Sequence, residues 1–123
     1  MGPRERIRLG WGEVETIPAY NVDKFRNGKA LFHPKENEGL GFVLTLGGKR
    51  LYVAGDTDGI PEMENIKNID IAFLPVGRRT VMAPEEAARA ASIIKPKVAI
   101  PVHWEKREDA ERFAHLAGNA MIL

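Results

Sequence analysis

The sequence predicts an α/β chain in which a mixed β-sheet carries helices on one face. Three observations predict it. Apolar runs of strand length recur at 41–46, 49–54, 69–76 and 98–102. Helical periodicity is clearest in two segments, one opened by Pro84 and one covering 107–117. A Gly47-Gly48 pair separates the first two runs, where a two-residue hairpin needs residues that accept positive φ. Strands that begin as a hairpin and then alternate with helices give a sheet covered by helices.

Taken in order, Arg4, Arg6 and Arg8, diluted by Glu5, read as a solvated strand face. Residues 13–20 alternate polar and apolar at first, as a half-buried strand does. Residues 21–39 are punctuated by Asn21, Asp23, Asn27, Gly28, Pro34, Asn37 and Gly39 and read as a surface loop. The hairpin follows. Pro61 opens a short helix, with Glu62 and Glu64 in the first turn where the helix dipole favours anions. Residues 69–76 are a near-continuous apolar strand. Pro84-Glu85-Glu86 starts a helix and Pro96 stops it; Ala87, Ala91 and Ile94 share one face, small enough to lie close to a sheet. Residues 98–102 form another strand. Residues 107–117 form an amphipathic helix with Ala110, Phe113, Ala114 and Ala117 facing in and Gly118 ending it. Residues 121–123 read as a short final strand.

Composition narrows the class. The length of 123 residues predicts one domain, 1–123. Hydrophobic residues at 44% and charged residues at 28% place the chain among soluble globular proteins. A net charge of +1 with interspersed signs gives no electrostatic case for nucleic acid or a membrane surface as partner. The absence of cysteine excludes disulfides, thiolate nucleophiles and Cys-ligated zinc, and points to a cytoplasmic home. No apolar run reaches the roughly 20 residues that span a bilayer, and the start lacks a signal-peptide pattern.

The chemistry concentrates at two strand ends. Asp56 closes the run Leu51-Tyr-Val-Ala-Gly-Asp56, and His103 closes Val98-Ala-Ile-Pro-Val-His103. A carboxylate and a neutral imidazole on strand tips are donors suited to a divalent metal. His33, before Pro34, reads as a surface loop residue or as a residue supporting the site or touching substrate. Asp58 either orients the site or closes a turn with Gly59. His115, near the end of the last helix, reads as solvated. Asp56-Thr-Asp-Gly59 also matches the nucleophile loop of haloacid-dehalogenase phosphatases. That family's motif opens the domain and needs a later acidic pair on strand ends, and neither holds here.

The segments Pro18-Ala-Tyr-Asn-Val-Asp-Lys24, Phe32-His-Pro-Lys35, Tyr52-Val-Ala-Gly-Asp-Thr-Asp58, Asp70-Ile-Ala-Phe-Leu-Pro-Val-Gly77 and Ile94-Lys-Pro-Lys-Val-Ala-Ile-Pro-Val-His103 run in order. Together they resemble the C-terminal half of a metallo-β-lactamase-fold hydrolase, in the group related to L-ascorbate-6-phosphate lactonase. The resemblance implies half of an αββα sandwich, with Asp56 and His103 as ligands of a divalent metal, zinc or manganese. It also implies metal-assisted hydrolysis of a lactone, amide or phosphoester. The family's His-x-His-x-Asp-His motif, carried on the N-terminal half, has no counterpart in this sequence. The stretch Val76-Gly-Arg-Arg-Thr-Val-Met82 also departs from the family pattern, placing Arg78 and Arg79 where small neutral residues are usual. The expectation is therefore a partial hydrolase without activity as an isolated chain, associating with a complementary N-terminal half or a second copy. A symmetric pair could share Asp56 and His103 around one ion. The alternative is a catalytically silent half-domain serving as an assembly module.

Overall fold

The structure is a computed structural model that describes residues 5–26, 30–77 and 79–123. Arg4, Asn27, Gly28 and Arg78, singled out above, lie outside the described residues. Among the described residues, eight strands run in chain order: β1 (Arg6–Leu9), β2 (Gly12–Pro18), β3 (Phe25–Arg26), β4 (Ala30–Leu31), β5 (Leu40–Leu46), β6 (Lys49–Val53), β7 (Ile71–Pro75) and β8 (Val98–Val102). Two α-helices, α1 (Pro84–Ile94) and α2 (Arg107–Ala117), follow β7 and β8.

Six strands form one mixed sheet in the order β1-β2-β5-β6-β7-β8. The first four are antiparallel neighbours, and β6, β7 and β8 run parallel. Connection length explains the change. β5 and β6 are joined by Gly47 and Gly48, with φ of 53° and 83°, which close a tight hairpin as the Gly-Gly pair predicts. Parallel neighbours instead need a long crossover. A 3₁₀ turn at Pro61–Asn65 lies between β6 and β7, and α1 lies between β7 and β8.

The register separates two faces. Glu15, Val43, Tyr52, Ala72 and Ala99 align across β2, β5, β6, β7 and β8, and the last four are buried beneath the helices. Ala87, Ala90, Ala91 and Ile94 of α1 and Ala110 and Phe113 of α2 complete this core. Ala114 and Ala117 are half-buried beside it. Ala against Ala lets α1 approach β7 closely and removes little side-chain entropy. On the opposite face, Val14, Leu44, Leu51, Ile71 and Val98 form a second aligned row, each half-buried, and Phe42, Val53 and Phe73 form part of a third. No described helix covers this apolar face, because α1 packs on β7 from the same side as α2 and the Pro61 turn.

Three expectations need correction. Residues 21–39 are not all loop: β3 and β4 pair as a small antiparallel ribbon, and Lys35–Asn37 make a 3₁₀ turn. Two-residue strands carry too few side chains for a period to show. The helix opened by Pro61 is 3₁₀, ending where Ile66 returns to extended backbone. Residues 121–123 form no strand; a single bridge joins Ala120 to Ala99, because Met121 N–H donates to the Ala99 carbonyl and the ladder stops there. Among the described residues, no helix is long and apolar enough to cross a membrane.

Candidate metal centre

β6 ends at Val53, and Gly55, with φ of 76°, turns the chain so that Asp56 stands at the sheet edge. A side chain at Gly55 would adopt a left-handed backbone and meet the Leu40 carbonyl at 2.8 Å. β8 ends at Val102, and His103 itself takes φ of 68°. A histidine in this left-handed region stores backbone strain, as Glu38, Asn68 and Lys95 also do away from the site. Its ring stands beside Gly77, where an added Cβ would lie 3.7 Å from Nδ1.

Both strand-tip residues meet a third. Asp56 Oδ1 lies 3.6 Å from His103 Nε2, and Asp56 Oδ2 lies 3.4 Å from His33 Nε2. The three side chains are open to solvent, with Asp56 48% exposed, so a water-borne ion reaches them. Two donors bound to one tetrahedral ion at about 2.1 Å stand about 3.4 Å apart. Both observed separations match that spacing and are long for a hydrogen bond. Each imidazole faces its own carboxylate oxygen. Such a layout could hold an ion on either side of one carboxylate, with one imidazole at each. The donor set of carboxylate and imidazole nitrogen fits zinc or manganese and lacks the oxygen-rich shell that calcium takes.

His33 thus stands at the edge with Asp56 and His103, although its sequence setting gave little sign of it. Asp58 stands apart. Its carboxylate is fully buried, accepts from Val22 N–H at 2.7 Å and Asp23 N–H at 3.3 Å, and pairs with Lys24 Nζ at 2.8 Å. The polar partners described for its carboxylate are Val22, Asp23 and Lys24, not the three edge residues, and a carboxylate so enclosed has no opening toward substrate. His115 is exposed on α2, as expected. Arg79 lies over the Phe32 ring at 5.9 Å, beside His33.

A second acidic group competes on geometry. Asp23, Asp58 and Glu86 form the one set of three among the described residues whose donor atoms all lie within 4.8 Å of one another. The Lys24 ammonium already fills it, at 2.6 Å from Asp23, 2.8 Å from Asp58 and 3.0 Å from Glu86. Burial pushes the Lys24 ammonium down, but the three carboxylates together hold it above the ordinary lysine range. Lys24 in turn draws the Asp23 carboxyl below its ordinary value. This cluster is an ion-pair lock and not a vacant cation site. It ties the segment 20–24 to the loop after β6 and to α1, whose first turn Glu86 also caps by accepting from Ala83 N–H.

Sequence reasoning missed Lys24 and Asn21. Asn21 is buried, and its partners lie 12 and 59 residues away, at His33 and Thr80, so no local pattern marks it.

A mixed sheet with helices packed on one face, an apolar opposite face and carboxylate and imidazole groups at the strand tips is the architecture of a metallo-β-lactamase-type fold. The chain belongs to the family described as beta-lactamase superfamily domain, which matches residues 1–104. It is 35% identical over 123 residues to a UPF0173 metal-dependent hydrolase of Thermus thermophilus, covering 95% of this chain and 52% of that protein. It is 40% identical over 99 residues to a UPF0173 metal-dependent hydrolase of Deinococcus radiodurans, covering 79% of this chain and 41% of that one. Among solved structures, a Parabacteroides distasonis protein provisionally assigned as a metal-dependent hydrolase superimposes with a TM-score of 0.87 at 33% identity, covering 99% of this chain and 56% of that one. The chain thus spans about half the length of these relatives. Each of these three relatives is described as a metal-dependent hydrolase.

Proposed function

We propose that this chain contributes one edge of the metal centre of a hydrolase, with Asp56 as the bridging ligand and His103 and His33 each binding on one side of it. The observation that carries the proposal is the pair of Nε2 atoms at 3.4 and 3.6 Å from opposite oxygens of one exposed carboxylate. A divalent ion bound there would activate water and polarise the carbonyl or phosphoryl group of a lactone, amide or phosphoester. The protein's own part is to hold a carboxylate and two imidazoles at fixed spacing and open to solvent. Three donors shared between two positions leave each position short of the three protein ligands a catalytic site normally has. The chain by itself therefore binds metal weakly and does not turn over substrate. The missing donors come from a complementary half or from a second copy packed on the uncovered sheet face.

The test is titration of zinc and manganese into the purified chain, with elemental analysis after dialysis, for wild type and for Asp56→Ala, His103→Ala and His33→Ala. The expected result is loss of all binding in Asp56→Ala and loss of one of the two positions in His103→Ala and in His33→Ala. Binding that survives Asp56→Ala, or hydrolysis by the isolated chain that needs Asp56, would overturn the reading.

A further inference from the structure

We infer that Asn21 fixes the tautomer of His33, placing the ring proton on Nδ1 and presenting Nε2 to the Asp56 edge as a bare lone pair. The argument starts from which way the Asn21 amide points. Its Nδ2 donates to the Thr80 carbonyl at 2.9 Å, and that oxygen can only accept. Its Oδ1 accepts from the His33 backbone N–H at 2.8 Å, and that group can only donate. The two contacts demand the same orientation, so the amide cannot be turned over. A third bond, from Asn21 N–H to the His33 carbonyl at 2.7 Å, closes a reciprocal pair between the two residues.

His33 Nδ1 then lies 3.2 Å from the same Oδ1. An oxygen there rewards a proton on Nδ1 and repels a lone pair. Neutral imidazole carries one proton, so Nε2 is left unprotonated, the form in which imidazole binds a metal. A free histidine side chain in water favours the opposite tautomer. Asn21 is 1% exposed, so water does not compete for its oxygen. Asn21 is held in place from behind: Tyr20 N–H donates to Thr57 Oγ1, and Val22 N–H donates to Asp58. It is a positioning residue, acting through His33 and touching neither Asp56 nor His103 in the contacts described. The consequence for ion binding rests on the metal-edge reading above; the tautomer itself does not.

The experiment is nitrogen-15 spectroscopy of the imidazoles in the metal-free chain, at a pH about two units above the ordinary histidine value near 6.5. With three histidines in the chain, His103→Gln and His115→Gln assign the His33 signals. The expected result is a protonated Nδ1 and an unprotonated Nε2 on His33. A proton on Nε2, alone or with one on Nδ1, or an averaged pair of signals, would overturn the inference. Asn21→Asp keeps the accepting oxygen and retains the tautomer; Asn21→Ala removes it and returns His33 to the solvent preference. If Asn21→Ala fails to fold, the wild-type spectrum decides alone. Zinc affinity then falls about 10- to 100-fold in Asn21→Ala but not in Asn21→Asp. Equal affinity in all three would overturn the link to ion binding. A wild-type chain that binds no zinc yet shows the Nδ1 proton would sink the metal-edge reading and sustain the assignment of Asn21.

Discussion

Lys24→Met tests the ion-pair lock that holds the site's supporting loop. Methionine keeps most of the aliphatic stem and removes the charge. Asp58 is then left with a fully buried carboxylate, bonded to the backbone N–H groups of Val22 and Asp23 but facing no cation. Removing one partner of a buried ion pair costs about 3–5 kcal/mol. Two features place this case at the lower end. Asp23 is 63% and Glu86 30% exposed, so both can turn to water, and their share of the loss is small. Asp58 retains two donors that partly satisfy its charge. The expected loss is therefore about 3 kcal/mol, a large fraction of a typical total of about 5–15 kcal/mol. Urea denaturation at neutral pH measures it, with Asp58→Asn and the double variant completing a cycle. The double variant should be less destabilised than the sum of the singles by about 2 kcal/mol, because the second change removes the charge that the first left stranded. A loss below about 1 kcal/mol for Lys24→Met, or strictly additive singles, would refute a buried lock.

Tyr52 is fully buried and its hydroxyl has no hydrogen-bond partner among the described residues, so Tyr52→Phe should stabilise the chain by about 1 kcal/mol in thermal or chemical denaturation. Gly41→Ala should destabilise it by about 2 kcal/mol or more, since a Cβ would lie 2.5 Å from the Ala54 and 2.7 Å from the Val53 carbonyl oxygens; an unchanged midpoint would show that β5 can shift. Burial pushes the Glu62 carboxyl up, but the Tyr20 hydroxyl at 2.7 Å and Lys35 outweigh it and hold the carboxyl below its ordinary 4.5. A depressed folded-state value contributes stability that is complete above pH 4.5 and lost as pH falls through the folded value, and Tyr20→Phe should flatten that acid limb. Sedimentation at micromolar concentration should find the isolated chain associated through the row Val14, Leu44, Leu51, Ile71 and Val98; a stable monomer, unchanged by Leu44→Lys, would count against that face as an interface.

The sequence by itself determined the elements that repeat a pattern. Period-two and continuous apolar runs located β2, β5, β6, β7 and β8, the Gly-Gly pair located the hairpin, and Pro84, Pro96 and Gly118 bracketed the two helices. These signals are local, because each arises from the backbone geometry of a few consecutive residues. It also marked Asp56 and His103, since a polar donor just after an apolar strand must emerge at a sheet edge. The tertiary structure decided everything that depends on which strand tips and loops share that edge. It brought His33 to within 3.4 Å of Asp56, moved Asp58 inward onto Lys24, and turned Asn21 from a turn residue into the clamp on His33. It also decided which row of apolar residues the helices cover and which they leave open. Those outcomes join residues up to 62 positions apart, as between Lys24 and Glu86. Contacts at such separation are set by sheet order and crossover, which no local period encodes.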